Sequence, residues 1–189
     1  VKEKEFQMKP KCRRIFELAA LLLILVAVGC GGTGRFNVVV GMDSDYKDAN
    51  GLIPAVEVRL MGASEMRRAR LGQASVEEII RSAPGEKAYV MKFGQGLPTE
   101  QTLVKSDPIW KKWKEIDAKY LFIFADLPGV ENPKGSDPRR LGLSIEQKKW
   151  KKYGWSWLFL RKQEIGIVIE APPMGVSYRG KEYQGQLIN

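Results

Sequence analysis

The chain has 189 residues, 31 Lys and Arg against 22 Asp and Glu, a net charge of +9, two cysteines and no histidine. That length suits one domain with a real buried core. The missing histidine excludes His-dependent triads, His-bearing zinc sites and haem held through His, and two cysteines cannot supply a disulfide framework.

Composition changes most sharply at the start. Lys9, Lys11, Arg13 and Arg14 form a basic cluster, followed by the apolar run Leu18–Val28 and then Gly29, Cys30, Gly31 and Gly32. A basic region, a short apolar core and small residues at its end are the layout of an export signal. As a helix, the apolar run spans about 17 Å, roughly half a bilayer core, too short for a good permanent span. Ala27-Val28-Gly29-Cys30 resembles the lipobox of bacterial lipoproteins. The resemblance implies cleavage before Cys30, a diacylglycerol on its thiol and an acyl chain on the freed amine. The usual Leu three residues before the cysteine is Ala27 here. An ordinary signal peptide with a cysteine at its junction, or an uncleaved anchor, are the alternatives. Cys12-Arg13-Arg14-Ile15-Phe16 also matches part of a twin-arginine motif without its leading Ser or Thr. The strongly apolar core favours the general export route. Glu3 and Glu5 are out of place in a signal's basic region, so translation is expected to start at Met8, or at Val1 through an alternative start codon.

Residues 1–29 are thus expected to be a signal peptide, 30–35 the lipidated cysteine and a Gly-rich tether, and 36–189 a single β-sandwich-like domain. The leader holds six of the basic and three of the acidic residues, which leaves 25 against 19 and a net of +6. Solubility and weak attraction to an anionic membrane explain that charge, and no nucleic-acid partner is expected. With Cys12 removed and Cys30 acylated, the core alone must hold a monomeric domain, and no metal or other cofactor is expected.

In chain order, Phe36–Val40 reads as a strand, and Asp43–Gly51 as a polar loop ending in Asn-Gly. Val56, Val58 and Leu60 alternate with Glu57, Arg59 and Met61, the period of a half-buried strand. These two strands are expected to form a first hairpin. Ser64–Leu71 is weakly helical, and Ser75-Val-Glu-Glu78 is a capping box that opens a helix stopped at Pro84-Gly85. Tyr89–Phe93 is a strand. Asp107-Pro108 starts a helix over 109–118 with Trp110, Trp113 and Ile116 near one face. Tyr120–Ala125 is apolar throughout, as a central strand would be. Leu127–Leu141 reads as a long surface loop, and Ser144-Ile-Glu-Gln147 as a cap for a short basic helix to Lys152. Trp155–Leu160 and Ile165–Glu170 read as strands, the second closed by Pro172-Pro173, and Val176–Tyr178 with Tyr183–Leu187 as a last hairpin. The sum is an α+β fold, a mainly antiparallel β-sandwich of seven or eight short strands with two or three short helical insertions.

Few clusters suggest chemistry. Asp43, Asp45, Asp48 and Asn50 fail the calcium-loop spacing, with Lys47 at its fifth position and no Glu at its twelfth. Glu77 and Glu78 are adjacent on a helix and face different ways, a poor acid/base pair. Trp155 and Trp157, two apart on one side of a strand, could stack on a glycan such as peptidoglycan, although large aromatics more often fill cores. The lysines around Trp110, Trp113 and Trp150 read as solvated helix faces.

An export signal, a Gly linker, a strand, a polar loop ending in Pro54 and the strand Val56-Glu57-Val58-Arg59-Leu60 together resemble the type VI secretion lipoprotein family (TssJ, also called VasD). The resemblance implies a β-sandwich with added helices, an outer-membrane anchor facing the periplasm, and docking to an envelope protein partner; with no histidine and no free thiol in the mature domain no enzymatic activity is expected, carboxylate chemistry being the one hydrolase route left. It implies that the loop between the first two strands, with Asp43, Asp45 and Asp48, takes part in that contact. A module binding glycan or lipid through Trp155 and Trp157 is the alternative.

Overall fold

The computed structural model describes residues 36–43, 45–47, 51–127, 137–146, 149, 164–170, 175–179 and 186–188. Cys30, Asp48, Trp150, Trp155 and Trp157 lie outside them, as do the strand expected over 155–160, Pro172-Pro173 and most of the basic helix expected up to Lys152.

Eight strands fall among the described residues: β1 Asn37–Met42, β2 Val56–Ala63, β3 Ala88–Phe93, β4 Glu100–Leu103, β5 Tyr120–Ala125, β6 Arg140–Ser144, β7 Glu164–Glu170 and β8 Gly175–Arg179. They form two four-stranded sheets, ordered β4-β1-β7-β8 and β3-β2-β5-β6. Every pairing among these strands is antiparallel except β1 with β7. The fold is a mainly antiparallel β-sandwich with short helical insertions. Alternation in β1 explains its half of the core: Val38 and Val40 are fully buried and face the second sheet's Val58 and Leu60 across one continuous apolar cluster.

Among the described residues, three helices join the strands. Helix α1 spans Glu65–Gln73 and α2 spans Val76–Arg81, both between β2 and β3. Ser75 caps α2 by accepting from the Glu78 backbone N–H, as its sequence signature requires, while its hydroxyl donates to Glu77. Helix α3 spans Ile109–Glu115, shorter than expected, because Asp117 turns the chain at φ +50°. Asp107 accepts from the Ile109 N–H at its start. Trp110 and Trp113 are core, edge to face at 4.9 Å, with their indole N–H groups donating to Val104 and Lys87 carbonyls. Gly62 of β2 admits the Trp113 ring, whose Cγ would lie 2.5 Å from any Cβ placed there.

Several expectations are corrected. β1 and β2 are not a hairpin: they belong to opposite sheets, and residues 43–55 carry the chain across the sandwich. Alternation says which face of a strand is buried and nothing of which neighbour it pairs with. Arg59, on the side expected to face solvent, is 5% exposed. Its guanidinium donates to the carbonyls of Ile79, Ile80 and Ser82 at 2.5–2.7 Å and to Glu57 at 2.7 Å, so it closes the C-terminal end of α2. Nothing in the sequence marks strand β4, since Glu-Gln-Thr-Leu carries almost no apolar pattern. Leu127 and Asp137–Leu141, expected at the surface, are buried apart from the exposed Pro138, and Arg140 opens strand β6. Ser144 is the last residue of β6, its hydroxyl accepts from the Glu146 N–H, and most of the helix it is expected to cap lies outside the described residues. β8 pairs with β7, Ile188 bridges Gly142 of β6, and most of Tyr183–Leu187, the expected partner of β8, lies outside the described residues. Tyr120 is half-buried, with its hydroxyl donating to Glu65.

Candidate functional site

Strand directions sort the connections. Gly41 pairs with Glu100, Met42 with Ile169, Val56 with Phe93 and Val58 with Ala125, so the β1–β2, β3–β4, β5–β6 and β7–β8 connections all leave from one end of their sheets. The two sheets share that end. The Val176 N–H donates to the Pro138 carbonyl, Gln101 donates to Lys92, and Gly94 lies against Ala55. Asn37, where β1 begins, sits at the opposite end, with its side-chain oxygen accepting from the Lys105 N–H.

The β1–β2 loop is anchored before it projects. The Asp43 N–H donates to the Ile169 carbonyl at 2.8 Å, its own carbonyl accepts from Tyr46 at 3.0 Å, and its carboxylate accepts from the Asp45 N–H at 3.1 Å. That local turn buries the Tyr46 ring. Burial pushes the Tyr46 phenol above its ordinary pKa, and the Asp126 carboxylate pushes it further the same way. Farther along, Leu52 is exposed, and Leu97 is exposed on the β3–β4 connection, which leaves from the same end. Asp45, Glu100 and Asp126 are exposed, Asp43 is half-buried, and the exposed cations of this end among the described residues are Lys47 and Lys92. Against a chain of +9, this end is acidic. Exposed leucines and carboxylates at one end of a sandwich together supply apolar contact and charge, the composition of a recognition surface.

The end is also braced, by residues that sequence reading missed. Arg139 donates to both oxygens of Asp137, at 2.9 and 2.7 Å, and pairs with Glu77 at 2.5 Å. Asp137 first, and Glu77 after it, raise the Arg139 pKa above its ordinary value. Arg139, then Ser75, hold the Glu77 carboxyl down at about 2. Arg140 donates to the Ala74 carbonyl, and burial lowers its pKa. These contacts tie the start of β6 to the first turn of α2 across more than sixty residues of sequence, a distance no local pattern reports. Of the six residues singled out by sequence, Asp43 and Asp45 are brought together at this end, and Cys30, Asp48, Trp155 and Trp157 lie outside the described residues. Among the described residues no three metal-ligating side chains cluster, and no helix is long and apolar enough to cross a membrane.

No protein-family model matches the chain, and no curated protein matches it in sequence. Solved structures do resemble it. The structural neighbours are type VI secretion proteins. Lip of Serratia marcescens, a membrane-bound component of the type VI secretion system, is 14% identical with a TM-score of 0.49, over 78% of this chain and 98% of that one. A structure of the TssM C-terminal domain from EAEC is 11% identical with a TM-score of 0.46, over 76% and 99%. The lipoprotein TssJ1 of Pseudomonas aeruginosa is 12% identical with a TM-score of 0.44, over 79% and 98%.

Proposed function

We propose that this chain is an exported lipoprotein, cut before Cys30 and lipid-anchored there, whose folded domain docks another cell-envelope protein without catalysing a reaction. The observation that carries the reading is the run from Lys9 to Cys30, in which a basic region, a short apolar core and a lipobox-like ending follow in order. The fold supports the docking half. Cys30 is linked to β1 through residues 31–36, which span at most about 25 Å, and β1 begins at the end opposite the acidic loops. Loops held on a rigid sheet commonly carry recognition. The likeness around Pro54–Leu60 supports a role in a type VI-like secretion envelope complex, and Gly31 after the cysteine favours the outer membrane.

The test is labelling with a radioactive fatty acid in the native host. The wild-type chain takes up label and fractionates with membranes, and Cys30→Ala does neither. Undiminished labelling of Cys30→Ala would sink the proposal.

A further inference from the structure

The outer face of the β4-β1-β7-β8 sheet is unusual in its two middle strands. Pairing sets two rows across it: Glu100–Gly41–Val168–Ser177 nearer the loop end, and Thr102–Val39–Gly166–Arg179 below. Each row has a glycine where a side chain would stand, and the two glycines lie diagonally beside Val39 and Val168. The result is a trough of about 510 Å³ over bare backbone, walled by the two valines. At Gly166 the Arg179 carbonyl would lie 2.8 Å from a Cβ, so the close strand approach itself requires glycine there. At Gly41 the space is open, the nearest atom being the Thr99 carbonyl oxygen at 3.9 Å. Helices α1 and α2 lie on the other sheet, against β2 and β5.

The rim carries a charge of one dominant sign. Among the described residues, Asp43, Glu100 and Glu164 border the trough, against the single cation Arg179. The trough opens at Asp43 and Thr99, on the loop cluster already described, so it continues that surface down the face of the sheet. An extended chain fits such a shape: a small apolar side chain enters over Gly41, and its neighbours along the chain reach the rim, where basic groups meet carboxylates.

We propose that this trough binds an extended, lysine- or arginine-rich segment of the docked envelope protein, a site that deepens the docking reading and rests on it. Selectivity comes from the rim and depth from Gly41, where the space is open.

Fluorescence anisotropy on the full chain in detergent tests the site directly. The probe is a labelled dodecapeptide of alternating lysine and valine, and the control alternates glutamate and valine. The basic probe binds at low salt and the acidic one does not. Gly41→Val fills the trough from a position whose Cβ meets nothing nearer than the Thr99 carbonyl oxygen at 3.9 Å, and Glu100→Lys with Glu164→Lys reverses its rim; each weakens the basic probe about tenfold or more with no loss of melting temperature. Equal binding to wild type and both variants overturns the site, as does equal binding of the acidic probe. A concentration-dependent dimer abolished by Gly41→Val, with peptide binding unchanged, assigns the trough to a second copy of the chain and overturns the proposal. Should Gly41→Val fail to fold, the rim reversal decides. Capture of the envelope partner from solubilised membranes separates the two readings. Capture that survives both trough variants but falls when Asp43, Asp45 and Asp48 become Ser removes the trough and keeps the loop. Capture unaffected by any of them removes docking at this end altogether.

Discussion

Arg59 gives the sharpest test of how the helices are held on the second sheet. Its guanidinium, 5% exposed, donates to three carbonyls in the last turn of α2 and to Glu57. Arg59→Met keeps most of the buried stem and removes every donor. Hydrogen bonds to a charged group contribute about 1.5–3 kcal/mol each. The full sum is not lost, because Ser82 is exposed and Glu57 keeps a quarter of its side-chain surface, so both recover water. We expect a loss of about 3–4 kcal/mol, within the range for breaking a buried charged contact, and a fall in melting temperature of about 10 °C for a domain of this size. Arg59→Lys should lose about 2 kcal/mol, since one ammonium cannot reach three carbonyls in a fan. Urea unfolding followed by circular dichroism gives the energies, and amide exchange across residues 79–82 shows whether α2 opens first. A loss under about 1 kcal/mol for Arg59→Met, or a Lys variant as stable as wild type, would refute the reasoning.

Other outcomes follow from single contacts. Gly62→Ala places a methyl within 2.5–2.8 Å of the Trp113 ring and should destabilise by about 1–3 kcal/mol with a red shift in tryptophan emission; an unshifted spectrum and unchanged stability would place the indole elsewhere. Glu77 has its pKa lowered to about 2 from the usual 4.5, chiefly by Arg139, so its contribution is complete above about pH 4.5 and disappears as pH falls through 2. Glu77→Gln should therefore lower stability at neutral pH and flatten its decline between those pH values, and an acid-unfolding curve parallel to wild type would contradict this. Replacing Asp43, Asp45 and Asp48 with Ser should barely move the melting temperature, since a hydroxyl in place of the Asp43 carboxylate still offers an oxygen to the local turn, while partner capture at low salt weakens; unchanged capture would exclude the loop.

What the sequence determined by itself was local or periodic. The contrast between the basic cluster, the apolar run and Cys30 is one of composition, legible without any fold. Apolar alternation marked β2, the all-apolar run marked β5 as an inner strand, and Ser75 to Glu78 marked the start of α2, because each signal lies within a few neighbouring residues. From these the sandwich class followed. Tertiary structure decided everything that depends on which strand meets which. It alone sent β1 and β2 to opposite sheets, paired β1 in parallel with β7, and turned Arg59 under a helix. It joined Glu77 to Arg139 and set Gly41 diagonally to Gly166, forming a trough from two glycines that mean little apart. The physical reason is that periodicity fixes how a segment divides its faces between core and water, whereas pairing is chosen by the packing of the whole chain.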